Sequence, residues 1–180
     1  MTCPNPTCVL PAAVIAFMAC IGASAQLAPP KVPANLRAPD SETVSLKVVG
    51  KGKQIYACTA RPDGSFAWVL DRPQAELTDA GGSVIGKHYK GPVWEATDGS
   101  KVGGKVDQRA NAPDPNAVPW LLLKSTTREG NGVFSHVTYI QRVDTQGGAP
   151  PPSGCDQSHV RSEISSDYQA TYYFYHPRAQ

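Results

Sequence analysis

The sequence lacks the pattern of amphipathic helices, because no segment keeps apolar residues at positions i, i+3, i+4 and i+7. Proline and glycine, at 17 and 16 of 180 residues, recur throughout the chain and interrupt any long helix. Short apolar segments separated by turn signals, such as Pro62 to Gly64 and Gly130 to Gly132, are typical of strands. About eight or nine such segments predict an all-β fold, either a single antiparallel β-sandwich or a partly closed β-barrel with little helix.

The chain also lacks an excess of either charge, because its 17 Lys and Arg residues nearly balance its 15 Asp and Glu residues. The resulting net charge of +2 argues against a protein that binds nucleic acid or anionic membranes. A glycine-rich phosphate loop before a helix and a Gly-x-Ser-x-Gly motif are both absent from the sequence. We therefore predict no cofactor and no nucleic-acid partner, and we name no catalytic residue.

Residues 1–25 contain no charged residue, and their apolar segment ends in the small residues Ala23 and Ala25. This pattern predicts a signal peptide cleaved before Gln26, so we expect a secreted, periplasmic or cell-surface protein. A stable transmembrane anchor is not expected, because the apolar run is shorter than the roughly 20 residues of a spanning helix and no basic cluster follows it. Lipidation of Cys20 is a weaker alternative.

After the leader, the proline-rich residues 26–40 predict an extended arm, and residues 41–180 predict a single β domain. Cysteine is scarce in this part of the chain, since only Cys58 and Cys155 of the five cysteines remain. Two cysteines in an exported domain most often pair, so we predict a disulfide between them. A metal site built on Cys155 and His159 is a less favoured alternative, because no further ligand lies at metal-binding spacing.

Local patterns give four further predictions. A turn at Gly50 to Gly52 is expected to separate a strand over 43–50 from a strand over 53–60. A short helical turn is expected around 72–80, and a strand over 133–143. In the last strand, alternation predicts a side that faces the core, made of Tyr168, Ala170, Tyr172 and Phe174.

The stretch "GKHYKGPVWEATDGS", residues 86–100, places His, Trp, Glu and Asp around a predicted hairpin. The Asp-Gly dipeptide at 98–99 favours a two-residue type I′ turn, which would place Glu95 opposite Val102. If the Trp94 face of the hairpin is buried, Glu95 points to water, which is the interpretation we favour. If the other face is buried, Glu95 is a buried carboxylate that needs a partner such as a histidine. The aspartate is interpreted as a turn former rather than a ligand.

Five residues are candidates for ligand binding by residue type and position: His88, Trp94, Glu95, Trp120 and His136. The two tryptophans, with Trp68, can form an apolar floor for a sugar or a hydrophobic ligand, although filling the core is their more ordinary role. His88, Glu95 and His136 are weak candidates for a metal or catalytic site, because that site requires separate strands to converge. We therefore predict no metal.

Several long motifs occur in a fixed order: "KQIYACTA", "GKHYKGPVWEATDGSKVGGKV", "VPWLLLK", "VTYIQRVDTQGGAPP" followed by Cys155, and "YYFY". Over roughly residues 40 to 176 they resemble the secreted bacterial and fungal family catalogued as domain of unknown function 3455. The resemblance implies an exported, β-rich domain and brings no established activity with it. Five residues fall on motif positions without gaining a role from them: His88, Trp94, Glu95, Asp98 and Trp120.

Together these observations favour a noncatalytic extracytoplasmic or cell-envelope module that binds a small molecule or a glycan. A secreted enzyme with a His/Glu site, with or without a metal, is the first alternative. A purely structural surface protein is the second. The sequence indicates neither the identity of the ligand nor the oligomeric state.

Overall fold

The fold is a single antiparallel sheet that closes on itself. A computed structural model describes residues 26–179 of the chain. Its eight strands follow one another around the sheet in chain order: β1 (Glu42–Ala60), β2 (Phe66–Thr78), β3 (Val84–Tyr89), β4 (Val93–Ala96), β5 (Lys101–Ala110), β6 (Trp120–Glu129), β7 (Tyr139–Gly147) and β8 (Glu163–Pro177). Because β8 also pairs with β1, the sheet forms a ring. The all-β prediction is confirmed, and the ring corresponds to its barrel alternative.

Helical structure in the described residues is limited to two short 3₁₀ turns, Ala34–Leu36 and Gln157–His159. Within residues 26–179, no helix is long and apolar enough to cross a membrane. The predicted signal peptide lies outside the described residues.

The proline-rich arm packs on the outside of the ring. Leu36 is fully buried, and its carbonyl oxygen accepts a hydrogen bond from the side-chain amide of Gln141 in β7. The Tyr175 hydroxyl donates to the carbonyl oxygen of the same amide. An outer apolar cluster forms where the arm meets the sheet: Val32, Ala38, Val44, Trp120, Tyr139, Val143, Tyr173 and Tyr175. The arm therefore buries apolar side chains that would otherwise face water.

The predicted turn at Gly50 to Gly52 is wrong, because β1 continues through it. Gly50 and Gly52 pair with β2 on one side and with β8 on the other. A Cβ atom on Gly50 would lie 2.6 Å from the ring of Tyr172. The glycine therefore makes room for an aromatic side chain inside the ring and does not reverse the chain.

The predicted helical turn over 72–80 is also wrong, because β2 extends to Thr78. Ala75 and Leu77 are buried, whereas the residues between and beside them are more exposed. This alternation of burial, with a period of two residues, is typical of a strand. Pairing with β1 and β3 on the two sides of β2 overrides the local helical preference of this segment.

The hairpin between β4 and β5 has a longer turn than predicted. Residues 97–99 form a three-residue loop, in which the Ala96 N–H donates to the Ser100 carbonyl oxygen at 2.9 Å and the terminal glycine has a φ of 86°. The predicted two-residue turn is wrong, and the register shifts by one residue, so that Trp94 faces Val102. Trp94 is 1% exposed, so the interpretation that its face is buried is confirmed.

The interior of the ring is filled at one end, which we call the closed end. Phe134, from the loop between β6 and β7, is fully buried, and its ring centre lies 4.7 Å from that of Phe174. Further apolar side chains belong to the same core: Leu46, Ala96, Val102, Leu123, Val137 and Ile140. The core-facing side predicted for the last strand is confirmed by the burial of Tyr168, Ala170, Tyr172 and Phe174.

Asp98 fastens the loop that carries Phe134. A strand is predicted over 133–143, but β7 covers only the second half of that range and the residues before it form turns. The Asp98 carboxylate accepts hydrogen bonds from the Val133 N–H at 2.9 Å and from the Ser100 hydroxyl at 2.6 Å. The bond from Ser100, followed by the bond from Val133, lowers the pKa of Asp98. Asp98 therefore stabilises the turn between β4 and β5, and it also holds the loop between β6 and β7 against this turn.

The opposite end of the ring, which we call the open end, is bordered by the loop between β7 and β8. The predicted disulfide is confirmed: Cys58, near the end of β1, is bonded to Cys155 in this loop, 97 residues further along the chain. The Tyr56 hydroxyl donates to the Gly148 carbonyl oxygen at 2.5 Å, which fixes the start of the loop to the same strand. Both contacts hold the loop against the end of β1.

Candidate functional site

A cavity of about 370 Å³ lies inside the ring at the open end. Its rim includes the exposed side chains Leu70, Val106 and Arg109. Its inner wall is formed by buried aromatic and polar side chains, among them His88, Trp94, Arg142 and Tyr172. Concavities of similar size on the outer surface are more open to solvent. The volume is within the range typical of small-molecule sites.

The inner wall is built from cross-strand aromatic pairs. His88 in β3 lies directly opposite Trp94 in β4, so both side chains point into the ring, and their rings stack with centres 4.3 Å apart. Tyr172 in β8 reaches them from the other side of the ring, edge-on, at 5.4 Å from His88 and 5.6 Å from Trp94. The ring is therefore bridged by aromatic contacts at the inner end of the cavity.

His88 is a neutral residue with a defined tautomer. Its Nδ1 atom lies 2.9 Å from the Val93 carbonyl oxygen, and since a carbonyl only accepts, Nδ1 carries the proton. Burial lowers the pKa of His88 to about 3; the bond to Val93 opposes this shift, and the positive charge of Arg142 adds to it. At neutral pH the histidine contributes no charge to the cavity.

Arg142 is a buried cation on the cavity wall. It lies in β7 between Leu121 in β6 and Tyr172 in β8, and it is 9% exposed. Its Nε and Nη2 atoms both donate to the Pro119 carbonyl oxygen, at 3.2 and 2.9 Å. Among residues 26–179, no Asp or Glu forms a salt bridge with it. A buried charge without a counter-ion destabilises the folded protein, so packing in the core does not by itself explain Arg142.

Other polar groups inside the ring are also left without partners. The Trp94 indole N–H and both side-chain amide atoms of Gln54 are buried and form no hydrogen bond within the described part of the chain. The hydroxyl oxygens of Tyr168 and Tyr172 lie 3.3 Å apart, and burial raises the pKa of both tyrosines. Unpaired buried polar groups are rare, and water or a ligand often supplies their partner.

Glu95 lies on the outside of the ring and takes no part in the cavity. Its carboxylate accepts a hydrogen bond from the Tyr89 hydroxyl at 2.8 Å and lies 3.5 Å from Lys87 and 4.0 Å from Lys101. The bond from Tyr89, and then the two lysines, lower the pKa of Glu95. The residue is a paired carboxylate on the outer face of β4, which is the orientation that the sequence favours.

Trp120 and His136 also lie away from the cavity. Trp120 is half-buried in the outer cluster under the arm, and His136 is exposed in the loop at the closed end. Of the five candidates, the structure thus brings together only His88 and Trp94. Between residues 26 and 179, no three His, Cys, Asp or Glu side chains form a group that could hold a metal ion.

Arg142 is a charged residue of the cavity wall that the sequence does not single out as a candidate. Its signal is its position in "VTYIQRVD", where strand alternation places it on the same side as the core residue Ile140. A charged residue on the inward side of a strand is unusual, which makes Arg142 a candidate for the functional site.

Comparisons with known proteins identify a family for this chain but assign it no activity. The curated proteins and the solved structures contain no match to this chain. A family model described as "Protein of unknown function (DUF3455)" matches residues 39–176, a range that includes every strand apart from the last residue of β8. The matched range contains the whole cavity wall. The chain belongs to the DUF3455 family.

Proposed function

We propose that this protein is an exported, noncatalytic binding protein that holds a small, largely apolar molecule in the cavity at the open end. The observation that carries the proposal is the unfilled space of about 370 Å³ inside a ring whose other end is tightly packed. Protein interiors are normally as dense as organic crystals, so an open apolar cavity is typical of a binding site.

The chemistry of the cavity favours an apolar molecule over a glycan. The exposed side chains of Leu70 and Val106, at 46% and 37%, offer apolar surface at the entrance. Trp94 offers no flat platform for a sugar ring, because His88 is stacked on it and only 1% of the tryptophan is exposed. Shape and lining therefore support a compact hydrophobic ligand.

Export is supported by the amino-terminal pattern and by the disulfide. The apolar segment that ends at Ala23 and Ala25 has the features of a signal peptide. Disulfides such as Cys58–Cys155 form and persist in oxidising compartments. Binding outside the cytoplasm, in the periplasm or at the cell surface, is consistent with both.

The test uses the neutral fluorescent probe N-phenyl-1-naphthylamine, titrated into the purified protein. We expect saturable binding of one probe per protein, with the emission of an apolar environment. Val106→Trp, at the rim of the cavity, should weaken binding by about tenfold because the larger side chain blocks the entrance.

The matched control is Val133→Trp, because Val133 is also exposed, at 49%, and lies in the loop at the closed end, away from the cavity. It should leave probe affinity unchanged. Absence of probe binding, or an equal loss in both variants, would contradict the proposal and favour a purely structural role for the protein.

A further inference from the structure

We propose that the molecule held in the cavity is a carboxylate, whose anionic group binds the Arg142 guanidinium while its apolar body occupies the rest of the space. The inference rests on the proposed binding function of the cavity and specifies the chemical class of its ligand. It joins two observations, the buried cation and the cavity that it lines.

The hydrogen-bond donors of Arg142 are only partly used. The Pro119 carbonyl oxygen receives bonds from Nε and Nη2, and a side-chain contact of Arg142 with the Tyr172 hydroxyl opposes the rise that burial gives to the pKa of Tyr172. Because a guanidinium has five N–H groups in a planar fork, these contacts do not use all of its donors, and the remaining N–H groups can bind a ligand. A carboxylate, with two oxygens in one plane, matches two neighbouring donors of this kind.

The charges of the groups around the cavity favour a ligand with a single negative charge. His88 is neutral, because burial lowers its pKa to about 3. Glu95 is outside the ring, and among residues 26–179 no acidic side chain lines the cavity. One carboxylate would neutralise Arg142, whereas a phosphate monoester, with a charge nearer −2, would leave an excess negative charge in a medium of low dielectric constant.

The surroundings of the guanidinium suit the rest of such a molecule. Tyr172, directly opposite Arg142 in the β7–β8 pairing, places its hydroxyl group in the same part of the interior. Apolar side chains such as Leu121, Leu123 and Val118 form other parts of the cavity wall. An aromatic or short aliphatic acid has this distribution, with one charged end and an apolar body.

Arg109 offers a second positive charge and serves as an internal comparison. It lies at the rim of the same cavity but is exposed, so water and salt screen its charge. A buried cation discriminates between a charged ligand and its neutral analogue far more strongly than an exposed one. The two arginines therefore allow a paired test.

The experiment measures binding of 2-naphthoate and of its neutral isostere 2-naphthamide at pH 7, by displacement of N-phenyl-1-naphthylamine. We expect the native protein to bind the carboxylate at least about tenfold more tightly than the amide. Arg142→Met should abolish this preference and retain affinity for the neutral probe, and Arg142→Lys should restore part of the preference. Arg109→Met, at the exposed rim of the cavity, should reduce the preference less than Arg142→Met does.

The possible failures are distinguishable. If the probe does not bind the native protein, the proposed function of the cavity fails. If the probe binds but the native protein treats 2-naphthoate and 2-naphthamide alike, only the carboxylate inference is overturned. The same conclusion follows if Arg142→Met binds the probe and keeps the preference. Since the comparison of the two compounds is made first on the native protein, the result does not depend on the folding of a variant.

Discussion

The closed end and the open end of the ring are formed by the same eight strands, yet their interiors differ. At the closed end, the loop between β6 and β7 inserts Phe134 into the core, and Asp98 holds that loop in place. At the open end, the loop between β7 and β8 is held by the disulfide and by Tyr56, and a cavity remains. The difference indicates that core packing is concentrated at one end of the sheet, and it leaves the other end available for the proposed binding function.

The largest effect is expected from removing the aromatic side chain that fills the closed end. Phe134→Ala deletes a fully buried ring packed on Phe174, and should lower the free energy of unfolding by about 3–5 kcal/mol. Leu70→Ala, at the rim of the open end, removes a side chain that is 46% exposed and should cost less than about 1 kcal/mol. Urea unfolding of both variants measures the comparison, and similar losses would contradict the division of the two ends.

A smaller effect is expected from the histidine at the inner end of the cavity. Burial lowers the pKa of His88 from 6.5 to about 3 in the folded protein. Below pH 6.5 the unfolded chain therefore binds a proton that the folded protein does not, so stability falls as the pH decreases towards 3. At pH 4.5 this loss amounts to about 3 kcal/mol relative to pH 7.5.

His88→Phe keeps an aromatic ring on Trp94 and removes the titrating group. The difference between its unfolding free energies at pH 7.5 and 4.5 should be smaller than that of the native protein by about 3 kcal/mol. His136→Phe, at an exposed histidine of the closed end, controls for the loss of a histidine as such. An unaltered pH dependence in His88→Phe would show that His88 is accessible to protons in the folded protein.

Much of the fold is predictable because it depends on local alternation. The inward side of the last strand follows from a period of two, and the disulfide follows from the count of cysteines after the leader. The hairpin register is missed because an Asp-Gly pair also fits a three-residue loop, and one added residue moves Val102 to the other face. Gly50 looks like a turn residue, although its role depends on Tyr172 from the far end of the chain.

The site is less predictable, because it depends on how eight strands close into a ring. His88 and Trp94 are identified by residue type and meet across adjacent strands. Glu95 is the neighbour of Trp94 in sequence but points outwards, as period-two geometry requires. Alternation in "VTYIQRVD" places Arg142 on the inward side, but its missing counter-ion among residues 26–179 and the cavity beside it are visible only in the structure.

The central claim, that the open end takes up an apolar molecule, is tested most directly by the three tryptophan indole N–H signals in a ¹⁵N NMR titration with N-phenyl-1-naphthylamine. Trp94 lines the cavity, whereas the Trp68 indole donates to the Ser153 carbonyl oxygen at 2.9 Å and Trp120 packs in the outer cluster. We expect a saturable shift of the Trp94 signal and little change in the other two. Probe binding that moves the Trp120 or Trp68 signal and leaves Trp94 unchanged would contradict the account.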